Sequence, residues 1–104
     1  MPSELIIREE LSRDYLKVSI TGDIDIYTAQ EFKEKLYGFI DTYNIDLKID
    51  CLGLNYIDST GLGIFVEALK KTKLFGKDIQ LENLKDNIRK LFIITGLNKL
   101  FIIK

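Results

Sequence analysis

The residues with the most chemical potential are Asp58, Ser59, Thr60, Gly61, Leu62 and Gly63, consecutive positions between a short apolar run and an amphipathic one. Two hydroxyls, a carboxylate and two glycines stand together where a helix is expected to begin. A helix start presents unpaired N–H groups and a partial positive charge. It therefore suits a phosphate, carried by a bound ligand or by the protein's own serine. A structural reading competes: Ser59 is an N-cap, accepting a hydrogen bond from a backbone N–H two or three residues on. Asp58 can cap instead, which leaves Ser59 in the first turn with its hydroxyl free. Gly61 and Gly63 weaken a first turn and leave backbone uncovered for the approach of another molecule, which a cap alone does not require.

Catalysis has little to stand on. The stretch lacks the lysine and the full spacing of a nucleotide P-loop. Asp58 would repel a ligand phosphate, and the pattern is not a Gly-x-Ser-x-Gly elbow. The chain has no histidine, which removes the serine–histidine–acid triad, the imidazole metal ligands and the commonest general base near neutral pH. No enzymatic activity and no cofactor are expected. Asp23 and Asp25, without a third ligand group nearby in sequence, read as a solvated loop rather than a metal site. Cys51 is the only cysteine, so no internal disulfide forms, and its inward phase makes it a buried core thiol. The run Lys70, Lys71, Lys73 and Lys77 suits the negative end of a helix and is assigned no function.

The chain balances 15 basic against 16 acidic residues for a net charge of −1, so it has no electrostatic footprint for nucleic acid or an anionic membrane. No apolar run approaches the ~20 residues that span a bilayer. Met1-Pro2-Ser3-Glu4 lacks the basic-then-apolar pattern of a signal peptide, and the expected location is the cytoplasm. With 46% hydrophobic and 30% charged residues disorder is not expected, and residues 1–104 are expected to form one domain.

The elements that must position these residues follow from periodicity. Leu5 to Leu11 reads as a strand, Ser12-Arg13-Asp14 as a turn, and Tyr15 to Thr21 as a strand alternating Leu16, Val18 and Ile20 with polar residues. Gly22 is expected to end it, with residues 23–27 a loop. Thr28 and Glu31 have capping-box spacing before a helix with the stripe Phe32, Leu36, Phe39, Ile40 and Tyr43. Ile45 to Cys51 alternates again, and its polar face means that one side of the sheet meets water. Leu52 to Ile57 leads to the central stretch. The next helix carries the stripe Leu62, Phe65, Val66 and Leu69, with Ile64 opposite it as an expected exposed partner contact, and Gly76 as its stop. A strand through Ile79 and Leu81, a short helix capped by Asp86 and stopped by Gly96, and a strand Leu100 to Ile103 complete the chain. The expected fold is α/β, ordered β-β-α-β-α-β-α-β, with a mixed, largely parallel sheet and helices on one face.

Asp58-Ser59-Thr60-Gly61-Leu62-Gly63 resembles the phosphorylation signature of bacterial anti-sigma factor antagonists, the single-domain STAS proteins. Gly22-Asp23-Ile24-Asp25 is similar to that family's Gly-acidic-aliphatic-Asp loop, and Gly96-Leu97 to a third short signature before the last strand. The resemblance covers essentially the whole chain, with the elements in family order. It implies that Ser59 is phosphorylated by a partner anti-sigma factor that is itself a serine kinase. It implies that Asp58, Thr60, Gly61 and Leu62 form the docking surface, and that Asp23, Asp25 and Thr28 belong to a neighbouring loop facing the kinase. The unphosphorylated protein would bind the anti-sigma factor and free the sigma factor; phosphorylation would end that binding and a metal-dependent serine phosphatase would restore it. The free protein is expected to be a monomer. Thr60 is a competing acceptor, and the alternative role is a STAS scaffold or ligand-sensing module without phosphorylation.

Overall fold

The structure, a computed structural model, describes residues 4–104; Met1, Pro2 and Ser3, where the absence of a signal-peptide pattern was read, lie outside the described residues. Strands β1 (Leu5–Leu11) and β2 (Tyr15–Ile24) form an antiparallel hairpin. Its turn is closed by the Ser12 N–H donating to the Tyr15 carbonyl at 2.9 Å. Then follow α1 (Ala29–Tyr43), β3 (Asp46–Ile57), α2 (Ser59–Leu74), β4 (Ile79–Glu82), α3 (Asp86–Ile94), a 3-10 turn (Leu97–Lys99) and β5 (Ile102–Ile103). The sheet order is β1-β2-β3-β4-β5, antiparallel in its first pair and parallel in the rest. Each helical crossover steps one strand in the same direction. Right-handed crossovers therefore put all three helices on one face, and the α/β class with a mixed sheet is the observed one. No helix among the described residues is long and apolar enough to cross a membrane.

Leu16, Val18, Ile20, Leu47, Ile49, Cys51, Ile79 and Leu81 point from the sheet into the core. They meet Phe32, Leu36 and Ile40 of α1, Phe65, Ala68 and Leu69 of α2, and Ile88 and Phe92 of α3. Phe65 is the hub, its ring 5.2 Å from Phe32, 5.9 Å from Phe92 and 6.2 Å from Phe101, centroid to centroid. The opposite face carries Tyr15, Lys17, Ser19, Lys48, Asp50, Gln80 and Glu82, all half-buried, with the Lys48 ammonium 4.0 Å above the Tyr15 ring.

Element ends depart from the sequence reading where the sheet is irregular. β2 does not stop at Gly22 but runs to Ile24. Gly22 has φ +117, and a side chain there would put its Cβ 2.1 Å from the Glu4 carbonyl oxygen, so glycine lets β2 continue beside the start of β1. β3 starts one residue later than expected and extends to Ile57. Between the pairs Ser19–Asp50 and Thr21–Gly53, β2 advances two residues and β3 three; between Gly22–Leu54 and Asp23–Tyr56, β2 advances one and β3 two. Each extra residue is a bulge that breaks the period-two signal, and the inward positions become Cys51, Leu54 and Ile57. β5 is shorter than expected, Leu100 lying outside it. Asp86 is not a cap but the first helical residue of α3.

Burial, then the carboxylates of Asp50 and Glu82, push the Cys51 thiol up to about 12. It stays protonated, and a thiol-labelling reagent at pH 8 is expected to leave the native protein unmodified and to react only after denaturation. Labelling of native protein at the rate of a free thiol would show that this region opens. Above the ordinary value of 9.0 the unfolded thiol ionises while the folded one keeps its proton, so this group costs stability as pH rises from 9 towards 12.

Candidate functional site

β2 and β3 end side by side, with Asp23 paired to Tyr56 and Ile24 to Ile57. The Asp58 N–H donates to the Ile24 carbonyl at 3.2 Å. That bond ties the residue before α2 to the end of β2. It brings the loop after β2 and the start of α2 together at the carboxyl ends of two parallel strands.

Asp58 is the cap of α2. Its backbone is extended (φ −107, ψ −174), its Oδ1 accepts the Gly61 N–H at 3.1 Å, and its carbonyl accepts the Leu62 N–H at 3.0 Å. Of the two capping readings open in the sequence, this is the one that leaves Ser59 in the first turn. Ser59 and Thr60 are both exposed, and neither side chain makes a hydrogen bond among the described residues. Gly61 is buried, and a Cβ there would sit 2.6 Å from Ile57 Cγ1 and 2.7 Å from Ile24 Cγ2. Both isoleucines are core residues, so this glycine serves the seating of α2 on the strand ends, not the approach of another molecule. Only Gly63, exposed and with open space around it, leaves backbone accessible.

Ile64 corrects the sequence reading. Expected on the surface, it is 8% exposed and packs into the core. The buried face of α2 comprises Gly61, Leu62, Ile64, Phe65, Ala68, Leu69 and Thr72. Gly61, Ala68 and Thr72 carry little hydropathy, so the apparent stripe drifts toward Val66, which is only half-buried. Thr72 is accommodated because its hydroxyl donates to the Ala68 carbonyl at 2.8 Å.

Thr28 also differs from expectation. It occupies the cap position of α1 but makes no side-chain capping bond, so the capping box with Glu31 is absent. It is 4% exposed. Its hydroxyl donates to the Asp23 carbonyl at 2.8 Å and accepts the Asp25 N–H at 3.0 Å. Asp25 closes the turn instead. Its carbonyl accepts the Ala29 N–H at 2.8 Å, and its Oδ1 accepts the N–H groups of Tyr27 at 2.9 Å and Thr28 at 3.3 Å. The loop is thus held from within, and its tip presents two large side chains to solvent, Ile26 at 69% and Tyr27 at 76% exposed. Tyr56, paired beside Asp23, is half exposed. The sequence reading passed over these three. The available signal was a pair of large apolar residues between the polar Asp25 and Thr28.

Asp23 and Asp25 are half-buried, as is Asp58. No lysine or arginine occurs between Lys17 and Lys33, or between Lys48 and Lys70, so the segments that build the site bring carboxylates and no cation. A free phosphate finds no cationic side chain on these segments and finds the Gly61 N–H already taken by Asp58. Ser59 offers a hydroxyl with no imidazole anywhere in the chain to activate it. It suits an acceptor whose chemistry is supplied by another protein.

The family model described as "Mlab, STAS domain" matches residues 7–104. An anti-sigma-B factor antagonist from Listeria monocytogenes is 38% identical over 96 residues, covering 92% of this chain and 84% of that protein. The anti-sigma-B factor antagonist of Bacillus subtilis is 43% identical over 82 residues, covering 79% of this chain and 74% of that protein. Among solved structures, the anti-sigma factor antagonist SpoIIAA in its unphosphorylated form gives a TM-score of 0.81 at 18% identity, covering 95% of this chain and 88% of SpoIIAA. The phosphorylated form of SpoIIAA from Bacillus gives 0.73, also at 18% identity, covering 95% and 91%. At these identities the structural likeness is one of fold.

Proposed function

The chain belongs to the STAS domain family, and from that premise we propose that it is an anti-sigma factor antagonist switched by phosphorylation of Ser59. It is a regulator, not an enzyme. Unphosphorylated, it binds an anti-sigma factor that is itself a serine kinase, and the sigma factor held by that partner is released. Phosphorylation of Ser59 ends the binding, and a metal-dependent serine phosphatase restores it. Residues 1–104 act as one domain, monomeric when free, in the cytoplasm.

The observation that carries this reading is the state of Ser59. It is exposed in the first turn of α2, with a hydroxyl that makes no hydrogen bond among the described residues, because Asp58 has taken the cap. A kinase must enclose the hydroxyl it phosphorylates. Its footprint therefore spreads over Thr60 and Asp23, and over the apolar tips Ile26, Tyr27 and Tyr56, side chains of the kind that anchor interfaces. Thr28, Gly61 and Leu62, all buried, act from beneath this surface by holding its shape.

The test replaces the hydroxyl. Ser59→Ala is expected to fold, to bind the partner within a few-fold of the natural affinity, and to take no phosphate from ATP in the presence of the kinase. Phosphorylation of Ser59→Ala at the full rate would move the acceptor to Thr60. Absence of phosphate on Ser59 in protein isolated from its native cells under several growth conditions would favour the scaffold or ligand-sensing role.

A further inference from the structure

The end of α2 away from Ser59 carries a surface that the switch does not use. A groove of about 490 Å³ is walled by Val66, Leu69 and Leu74 of α2 and by Leu100 beyond the 3-10 turn, with Lys70 and Lys73 on its rim. Leu74 is 85% exposed and Leu100 53% exposed, so both hold apolar surface in water with no core to serve. α2 is 16 residues long, and the groove begins at Val66, about 10 Å along the helix from Ser59 at the helical rise.

Charge says what the occupant is. Residues 49–69 contain Asp50, Asp58 and Glu67 and no base. Lys70, Lys71, Lys73 and Lys77 then follow, and Lys99 directly precedes Leu100. Of the two rim lysines, Lys70 pairs with Glu67 at 3.4 Å and Lys73 with Asp78 at 2.9 Å, while Lys71 pairs with Asp41 of α1 at 3.5 Å and does not line the groove. These pairs are solvent-accessible and weak, so carboxylates from outside can replace them. Lys77 and Lys99 have no ion pair among the described residues. We propose that this groove docks an acidic amphipathic helix of a partner protein, its aliphatic stripe on Leu74 and Leu100 and its carboxylates on the lysine rim. Among the described residues a second copy of the chain offers no such helix. α1 exposes no large apolar residue, and the exposed Ile93 and Ile94 of α3 share their helix with the basic Arg89 and Lys90.

The test titrates the full chain with a synthetic peptide of about five helical turns, leucines at i, i+3, i+4 and i+7 and glutamates on the flanks, followed by fluorescence anisotropy. A second peptide carries lysines in place of the glutamates. The acidic peptide is expected to bind in the micromolar range, at least about tenfold more tightly than the basic one. Leu74→Ser with Leu100→Ser should weaken it by at least about tenfold without changing the thermal melt, since both side chains are exposed. Lys70→Glu with Lys73→Glu should reverse the preference between the peptides. Equal binding of both peptides, binding by the leucine double variant as tight as by the natural chain, dimerisation through these leucines, or capture by phosphatidylglycerol vesicles in place of the peptide would each overturn the proposal.

Discussion

A phosphate on Ser59 is expected to weaken binding to the anti-sigma factor kinase by at least about a hundredfold, ~2.7 kcal/mol. Phosphorylation adds roughly −1.5 to −2 charges at a point where the flanking segments contribute Asp23, Asp25 and Asp58 and no lysine or arginine. In the free protein the new charge sits on the positive end of α2 and remains in water, a placement that helix starts favour. The fold should therefore tolerate it, with a melting temperature shifted by only a few degrees. In the proposed complex the same charge would be enclosed with no lysine or arginine from the segments that flank it, and burying an unpaired charge costs several kcal/mol. Isothermal titration of the phosphorylated and unphosphorylated chains reads the difference directly. The second ionisation of a phosphate lies near about pH 6, so the loss should be smaller at acidic pH than at neutral pH. Ser59→Asp, shorter and singly charged, should lose less than the phosphoprotein. Phosphorylated protein that binds within about tenfold of the unphosphorylated form would mean that the kinase supplies cations of its own and that charge exclusion is not the switch.

The sequence reads most clearly where one force acts alone. The alternation of Leu16 to Ile20 and of Leu47 to Cys51 reports a sheet with one wet face, because each side chain faces either the helices or water. That was enough to place three helices on one side. It fails past Cys51, where two bulges turn the inward spacing from two to three, and at Gly22, which reads as a terminator because close approach to Glu4 is invisible in one dimension. The candidate site was legible as a motif but not as a division of labour. Asp58 and Ser59 both read as caps by type, and only the backbone geometry selects Asp58. Thr28 and Glu31 imitate a capping box, yet the threonine hydroxyl bonds back to the loop and Asp25 closes the turn. Ile64 was misplaced because the buried face of α2 is centred on small or polar residues. The Asp58 N–H bonds to the Ile24 carbonyl and the Thr28 hydroxyl to the Asp23 carbonyl, backbone contacts that leave no compositional trace.

Truncating Phe65 tests how the core governs this site. Phe65→Ala is expected to destabilise the fold by about 3–5 kcal/mol, a large share of the roughly 5–15 kcal/mol that holds a domain together. Urea and thermal unfolding monitored by circular dichroism should show the melting temperature falling by tens of degrees. Phe65 is fully buried and touches one ring each from α1 and α3, and Phe101 ahead of β5. Its loss removes contacts from three elements at once, where Phe32 touches only Phe65 among the rings. The effect should reach the site. Ser59 and Phe65 are on the same helix, and the seating of α2 against Ile24 and Ile57 sets the bond from Asp58 to the Ile24 carbonyl. Phe65→Leu, which keeps an apolar side chain in the gap, should restore most of the stability and with it partner binding. A Phe65→Ala protein that melts only a few degrees lower would show that Phe92 and Phe101, already in contact at 5.8 Å, close over the gap. The position of α2 would then be set by Gly61 and the strand ends rather than by the aromatic cluster.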